Sequence, residues 1–274
     1  MTAMTTSAAP SSARPRWVRF TPLQRLGRFC AYLITVAAVA WSLKTIEVIP
    51  EFLYDAPEQT LDLFKRMWPF DWAYYPKAIH HALIETFHIA TLGTLLALVI
   101  AVPMAILGAR NVTRNPLLNG LARFVFVASR SVNSLIWALL FVAVFGPGAL
   151  AGTLAIACRS IGFVGKLLSE ALEESPTGPI EALTAVGAPR SHVLLKGYWP
   201  KVEPGFWSIA LLRWDINLRE SSVLGLVGAG GIGVALDAAM SNLYWDQAGL
   251  ILAIILAVVL VVEAVTTLIR KRII

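Results

Sequence analysis

The chain has 274 residues, of which 57% are hydrophobic and 15% are charged, and its formal net charge is +6. A mean hydropathy of +0.68 and repeated long apolar runs exclude a soluble domain with one large core and indicate a polytopic membrane protein. Because a helix of about 20 apolar residues crosses a bilayer with its backbone polar groups paired internally, the predicted fold class is all-α.

Six apolar segments are long enough to be transmembrane helices. They cover residues 29–49, 82–108, 124–146, 148–169, 205–226 and 248–269. Residues 1–28 are rich in Ser, Ala and Pro and are basic, which predicts a disordered cytoplasmic tail. We therefore expect this tail to be followed by one transmembrane domain, residues 29–274.

The positive charges are distributed unevenly between the two sides that these spans define. With the N-terminus inside, sixteen of the 23 Lys and Arg residues lie on the cytoplasmic side and three lie outside. This asymmetry follows the positive-inside rule and predicts that both termini are cytoplasmic. The net charge is thus explained by membrane orientation, and we expect membrane lipid as a partner and no nucleic acid.

The longest external segment covers residues 50–80 and combines several prolines with Trp and Tyr residues. Trp and Tyr favour the bilayer interface, so the segment is predicted to be a strand-poor loop or an interfacial helix on the outer surface. Contact with an external substrate-binding protein is the alternative. In the second span, Gly93, Ala97 and Ala101 recur every four residues and predict a close-packing face.

Several short motifs follow the second span. Ala109-Arg110-Asn111 comes first, Arg130-Ser131 lies further on, residues 137–141 read Trp-Ala-Leu-Leu-Phe, and residues 148–155 begin the fourth span with glycines and alanines. Their combination resembles the phosphonate importers, a branch of the permeases of ATP-binding-cassette (ABC) importers. For the glycines, close helix packing is an alternative explanation that requires no family.

A polar segment, residues 181–200, separates the fourth and fifth spans. It begins with Glu181-Ala182, Gly187 follows six residues after Glu181, and Pro200 follows thirteen after the glycine. This order predicts a short helix, a glycine turn and a second short helix ended by proline. It resembles the coupling loop by which ABC importer permeases contact a separate ATPase subunit. Leu183 stands where that family has its second alanine, and Gly197 and Trp199 stand where it has Ile and Leu.

The fifth span contains an unusual number of polar residues: Arg213, Asp215, Asn217, Arg219 and Glu220. Each charge at the centre of a membrane helix costs about 2.5–3.5 kcal/mol on insertion scales, so these side chains should be paired or face a wet cavity. Asp215 and Arg219 are four apart and can pair on one face. Arg213 and Asn217 are four apart on an adjoining face, and Glu220 is seven from Arg213, close to the same stripe.

Two interpretations of these charges remain open. In one, they neutralise each other and fix the helix to its neighbours. In the other, an arginine is available to bind an anionic substrate, because guanidinium matches the oxygens of phosphate-like groups. The order Arg-x-Asp-Ile-Asn-x-Arg-Glu, followed by Val223-Leu224-Gly225, resembles the phosphonate permease branch, and the resemblance implies that these residues line the substrate pathway.

A glycine run follows the fifth span, with Gly228, Gly230, Gly231 and Gly233 in a literal G-x-G-x-x-G. A dinucleotide-binding turn would need a preceding strand and a βαβ unit, and here membrane spans lie on both sides. In the permease family a glycine-rich turn follows this helix. The resemblance implies a flexible segment at the outer mouth or gate.

The sequence lacks the motifs of an enzyme. It contains no phosphate-binding G-x-x-x-x-G-K-[ST], no HExxH and no cysteine pair at zinc spacing, so we expect no catalytic residue, metal or cofactor in this chain. A membrane-embedded enzyme using Arg213, Asp215 and Glu220 is the alternative, and it lacks a visible nucleophile. A secondary transporter would predict inverted repeats, which are not apparent.

The resemblance covers residues 84–270 and implies a function and its partners. The chain would be the transmembrane subunit of an ATP-driven importer in the bacterial inner membrane, working by alternating access. ATP and Mg would bind a partner ATPase, a periplasmic or lipid-anchored protein would deliver substrate, and a second permease subunit would complete a homodimer. The substrate would be phosphonate, with phosphite and phosphate esters as alternatives.

Overall fold

The structure, a computed structural model, describes residues 21–46 and 50–273, and the regular elements in these ranges are all helical. The chain divides into two units, one ending at Thr60 and the other comprising Leu61–Ile274. The predicted transmembrane domain, residues 29–274, includes residues of both units. Residues 1–20, most of the predicted tail, lie outside the described residues.

The first unit contains helix α1, Pro22–Thr45, and the start of α2, Pro50–Met67. Pro22 occupies the first turn of α1, and the backbone N–H of Thr21 donates to Gln24 Oε1 at 3.2 Å, which is half of a capping box. Residues 22–28 are therefore helical, contrary to the predicted tail. The side chains described in α1 are exposed along its whole length, as expected for an apolar helix in lipid.

The second unit contains the remaining helices, listed here in chain order. They are α3 His80–Gly108, α4 Pro116–Ser131, α5 Ser134–Phe145, α6 Ala149–Glu173, α7 Thr177–Ala185, α8 Arg190–His192, α9 Trp199–Leu224, α10 Ile232–Ser241 and α11 Trp245–Ile273. Short 3₁₀ stretches cover Trp72–Tyr74 and Gly225–Val227, and π-helical stretches cover Tyr75–Ile79 and Val193–Tyr198. The segment 50–80 is thus mainly helical, in line with the helical alternative.

Within the described residues, four helices are long and apolar enough to cross a membrane, and two bent pairs raise the number to six if each pair counts as one span. The third predicted span, 124–146, is wrong as a continuous helix because α4 and α5 meet at 91°. Val132 between them is extended, and Asn133 caps α5 by accepting from the N–H of Leu135 at 3.3 Å. A β-branched residue followed by a strong N-cap favours a break over a helix interior.

Close packing of α3 against α6 forms the centre of the second unit. Gly93, Ala97 and Ala101 are buried, and a Cβ added to Gly93 would lie only 2.7 Å from Ile156 Cγ2 on α6. Small residues let two helices approach without a hydrophobic driving force between them. The predicted close-packing face is confirmed, and α9 packs against both helices, so most of its polar residues lie inside the helical unit, whereas Arg219 is exposed.

Candidate functional site

The polar residues of α9 lie on two different sides of the helix. At about 100° per residue, Arg213, Asn217 and Glu220 share one face, and Asp215 and Arg219 lie on the opposite side. The contacts agree with this division, because the first set interacts with α6 and α3 while Asp215 and Arg219 pair with each other. The structure therefore does not bring the five predicted pathway residues into one site.

Arg213 is the buried centre of the first face, with only 3% of its side chain exposed. Its Nε donates to Ser160 Oγ on α6 at 2.8 Å, and its guanidinium carbon lies 5.3 Å from the centroid of the Phe163 ring. A hydrogen bond and a ring contact from α6 thus fix the orientation of the guanidinium group.

Glu220 is shared between two arginines. Its Oε2 lies 3.5 Å from Arg213 Nη2, and its Oε1 lies 3.3 Å from Arg159 Nη1 on α6. Arg159 also donates to Asn133 Oδ1 at 3.3 Å and to Ser134 Oγ at 3.1 Å, at the junction of α4 and α5. The predicted proximity of Arg213 and Glu220 is confirmed.

Sequence reasoning missed Arg159, although a signal was present. Arg159 is an isolated charge in the middle of the apolar segment 148–169, and a charge at that depth marks a partner or a functional site. The pattern within α9 pointed only to partners on α9 itself. The break at Asn133 brings the start of α5 to Arg159, and the prediction of a continuous third span concealed that arrangement.

We refer to Arg159, Arg213 and Glu220 as the arginine–glutamate cluster. It combines two positive charges with one negative charge. Arg213 Nη2 and Glu220 Oε2 are both buried and neither makes a hydrogen bond, so their ion pair lacks good hydrogen-bonding geometry. In a low-dielectric interior, an uncompensated charge and unsatisfied polar atoms are both costly. The cluster therefore has the capacity to accept an additional negative charge.

Asn217 links three helices beside this cluster. It is fully buried, its Nδ2 donates to Thr94 Oγ1 on α3 at 2.7 Å, and its Oδ1 lies 3.2 Å from Ser160 Oγ on α6. Because Ser160 also accepts from Arg213, Asn217 helps to hold the serine that orients the arginine. Its amide groups are satisfied by protein contacts, which makes it a positioning residue.

Asp215 and Arg219 form the predicted ion pair on the other side of α9. The Asp215 side chain is 5% exposed and that of Arg219 is 44% exposed, so the pair extends from the interior to the surface. The two charges balance. This arrangement suits the structural interpretation, in which opposite charges neutralise each other within the helix.

Helix α7, its turn and the helical stretch up to Tyr198 form the segment that resembles a coupling loop. Gly187 has a φ of +75°, its N–H donates to the Thr184 carbonyl at 3.0 Å, and the N–H of Ala188 donates to the Leu183 carbonyl at 3.0 Å. These bonds form a Schellman motif, in which the residue with the left-handed backbone is usually glycine. The predicted short helix and glycine turn are confirmed, and Glu181 and Ala182 are exposed on α7.

The second half of the segment differs from the prediction. Pro200 does not end a short helix, because it lies in the first turn of α9, and residues 190–227 form one helical run. The N–H of Trp199 donates to the Leu194 carbonyl five residues back, within the widened π-helical stretch. Proline has no N–H and its ring crowds the carbonyl four residues back, and a wider turn before Pro200 relieves that crowding.

The end of α6 is tied to the residues that follow α3 and to α4. Glu173 Oε1 accepts from the N–H of Arg110 at 2.7 Å and pairs with Arg123 Nη2 at 2.5 Å. Asn111 Nδ2 donates to the Leu172 carbonyl at 2.7 Å. In the segment that resembles a coupling loop, Tyr198 belongs to the buried cluster that also contains Leu168, so the segment packs against α6.

The glycine run after α9 is a closely packed turn. Gly228, Gly230 and Gly231 have φ values of +79°, +82° and +76°, and the N–H of Ile232 donates to Thr86 Oγ1 at 2.8 Å. The N–H of Gly148, before α6, donates to the Gly228 carbonyl at 2.9 Å. Together with Gly233, which packs against the Gly225 backbone, the run fits between α3 and the start of α6. The described residues contain no strand, so the dinucleotide interpretation fails.

The chain thus combines a helical membrane unit, charged residues inside that unit and an exposed helix–turn segment. Residues 91–274 match the family described as binding-protein-dependent transport system inner membrane component. The chain belongs to this family, as its motifs predicted, and it is a multi-pass inner-membrane protein.

Two relatives and one solved structure are informative. The phosphite transport system permease protein PtxC of Stutzerimonas stutzeri is 42% identical over 190 residues, which are 69% of this chain and 69% of that protein. The phosphate-import permease protein PhnE of Mycolicibacterium smegmatis is 39% identical over 234 residues, which are 85% of this chain and 43% of that protein. A chain of the inward-facing MetNI methionine ABC transporter matches with a TM-score of 0.61 at 21% identity, covering 72% of this chain and 96% of that chain. This likeness confirms the predicted fold.

Proposed function

We propose that this chain is the transmembrane subunit of an ATP-driven importer for a small phosphorus oxyanion. The observation that carries the proposal is the arginine–glutamate cluster, which has an excess positive charge inside the helical unit. The names of the relatives support the substrate class, since one refers to phosphite and another to phosphate import. Phosphonate, phosphite and phosphate esters share the charge and the oxygen atoms that guanidinium groups bind.

Within this proposal, the two sides of α9 have different roles. Arg213 and Arg159 contact the anion, Glu220 lies between these two arginines, and Asn217 orients Arg213 through Ser160. The Asp215–Arg219 pair is already neutral and lies on the opposite side, so it serves to stabilise the helix. The glycine turn at 228–233 sets the packing of the helix ends at the outer mouth.

The energy source in this proposal is a separate ATPase subunit that binds ATP and Mg. The exposed residues Glu181 and Ala182, together with the turn at Gly187, form the surface that it contacts. Continuity of the helix from residue 190 to residue 227 supports this role, because a displacement of the segment reaches Arg213 along one element. Both termini and this segment would be cytoplasmic. An external binding protein and a second copy of this chain complete the transporter.

Uptake measurements test the proposal. The chain is expressed with its neighbouring transport genes in a bacterium that lacks its own phosphonate and phosphite uptake, and cells are supplied with phosphite, methylphosphonate, phosphate or sulfate. Accumulation of at least one phosphorus oxyanion, dependent on this chain and abolished by an inactive ATPase, is expected. If the chain is present in the membrane and no phosphorus oxyanion accumulates, the proposed substrate class is wrong.

A further inference from the structure

Glu220 has contacts of the kind that a bound oxyanion would make. Each of its two oxygens faces a different arginine, at 3.3 Å from Arg159 Nη1 and at 3.5 Å from Arg213 Nη2. Carboxylate and phosphorus oxyanions present the same feature to guanidinium, which is a set of charged acceptor oxygens. The carboxylate therefore occupies the position between the two arginines that a transported anion would need.

The contact of Glu220 with Arg213 is loose, whereas Arg213 itself is firmly oriented. Charge-assisted bonds between nitrogen and oxygen are usually about 2.7–2.9 Å long, and neither Arg213 Nη2 nor Glu220 Oε2 makes a hydrogen bond. Ser160 and Phe163 fix the guanidinium from the α6 side. The arginine is thus preorganised for an acceptor that the carboxylate does not satisfy.

The three side chains of the cluster differ in their exposure. Arg213 is 3% exposed, Glu220 is 17% exposed and Arg159 is 31% exposed, so exposure increases in that order. Arg159 is thus the member of the cluster most open to an incoming anion, and Arg213 is the least open. With one negative charge added, the two arginines and two anionic groups are balanced, and the cluster has no excess charge.

We infer that Glu220 is a resident substitute for the transported anion, displaced from Arg159 and Arg213 when the oxyanion binds and restored when it leaves. The inference rests on the proposed function, for which it assigns the binding site and the means of resetting it. Competition with an internal carboxylate keeps the anion weakly bound, and a weakly bound anion is released readily.

Direct binding measurements test this inference. The purified full-length chain in nanodiscs is titrated with inorganic phosphite and with inorganic phosphate, and Kd is determined by calorimetry. Glu220→Gln removes the competing charge, and since close charge pairs couple by about 1.5 kcal/mol or more, Kd should fall by about tenfold or more. Adding Arg159→Gln to Glu220→Gln should raise Kd again. Glu220→Asp keeps a carboxylate, so it should bind the anion about as weakly as the wild type.

The controls separate this role from a structural one. The matched control is Asp215→Asn with Arg219→Gln, which neutralises the pair on the opposite side of the same helix and should leave Kd unchanged. A purely structural Glu220 predicts that Glu220→Gln lowers Tm without tightening binding, and that result would overturn the inference. In cells, Glu220→Gln should slow phosphite uptake while binding tightens. If the wild-type transporter takes up phosphite but Glu220→Gln does not bind it more tightly, the inference is wrong and the proposed function stands. If the wild-type transporter takes up no phosphorus oxyanion, the result counts against the proposed function and not against the inference.

Discussion

At the scale of single residues, Glu220 on α9 is shared between Arg213 of its own helix and Arg159 of α6. The spacings within α9 identified the Asp215–Arg219 pair and the proximity of Arg213 to Glu220. Arg159 reaches Glu220 from α6, and no regularity of sequence connects residues 61 positions apart. Partners of this kind depend on how helices pack, so they were beyond a single sequence.

Arg213→Ala should abolish most phosphorus-oxyanion uptake by the complete transporter. The substitution removes the preorganised guanidinium and leaves Glu220 paired with Arg159 alone, so the excess positive charge is lost. Transport of radiolabelled phosphite into cells measures the effect, and a decrease of at least tenfold is expected from the loss of one charged contact of about 1.5–3 kcal/mol.

Two comparisons make that result interpretable. Co-purification with the ATPase should be unchanged for Arg213→Ala, because the variant lies on α9 and not in the segment 177–198. Arg213→Lys keeps the charge but not the forked geometry, and it should retain part of the uptake. Normal uptake by a stable Arg213→Ala protein would show that this residue does not contact substrate.

A second prediction at this scale concerns the glycine turn. Gly231→Ala should lower stability, because residue 231 has φ +76° and a Cβ there would lie 2.8 Å from Thr86 Oγ1. With ψ −169°, residue 231 has a backbone conformation that essentially only glycine adopts, and such strain costs a residue with a side chain about 1–3 kcal/mol. Thermal unfolding in detergent measures the change in Tm, and Gly120→Ala, in the open part of α4, is the matched control. A Tm equal to that of the control would contradict the packed turn and favour the flexible gate.

At the scale of elements, turn residues were predicted more accurately than helix continuity. Gly187 makes the turn that its spacing indicated, because left-handed φ values require glycine. The prediction that Pro200 ends a helix is wrong. Proline also suits the first turn of a helix, and here a π-helical stretch precedes it. The break at Val132–Asn133 was missed because apolar residues on both sides gave one continuous run.

Two departures from the pattern of the coupling loop that the segment 177–198 resembles lie close together. Leu183 replaces a small residue and Gly197 replaces a large one, and a Cβ added at Gly197 would lie 3.3 Å from Leu183 Cδ1 and 3.5 Å from Ile180 Cγ1. The larger side chain at Leu183 thus fills the space left by the missing side chain at Gly197. Cores tolerate such exchanges when the total volume is kept.

A double-mutant cycle tests this exchange. Gly197→Ile alone should destabilise by about 1–3 kcal/mol through overpacking, and Leu183→Ala alone should leave a gap. The double variant should be more stable than the sum of the two effects by about 1 kcal/mol, as is usual for residues in contact. Thermal unfolding and ATPase co-purification are the measurements, with the exposed Val186→Ala as control. Strict additivity would show that the two positions do not compensate.

At the scale of the whole molecule, the membrane orientation is a prediction from charge that the fold does not test. The sixteen cytoplasmic Lys and Arg residues predict that the segment around Gly187 faces the cytoplasm and that residues 50–80 face outward. The proposed ATPase contact requires the same orientation. If the predicted orientation is wrong, the segment 177–198 cannot contact a cytoplasmic ATPase, although the fold is unchanged.

Accessibility labelling determines the orientation directly. In a background with Cys30→Ser and Cys158→Ala, Glu181→Cys and Lys77→Cys each introduce one exposed thiol, on sides predicted to be opposite. A membrane-impermeant maleimide should label Lys77→Cys in intact spheroplasts and should label Glu181→Cys only after permeabilisation. The two variants are compared with each other before and after permeabilisation. Weak expression of one variant lowers its labelling under both conditions, so it cannot be mistaken for a position on the other side of the membrane. Labelling of Glu181→Cys from outside would place the coupling segment where no cytoplasmic ATPase can reach it, and a force passed from this segment along α9 to Arg213 would then be impossible.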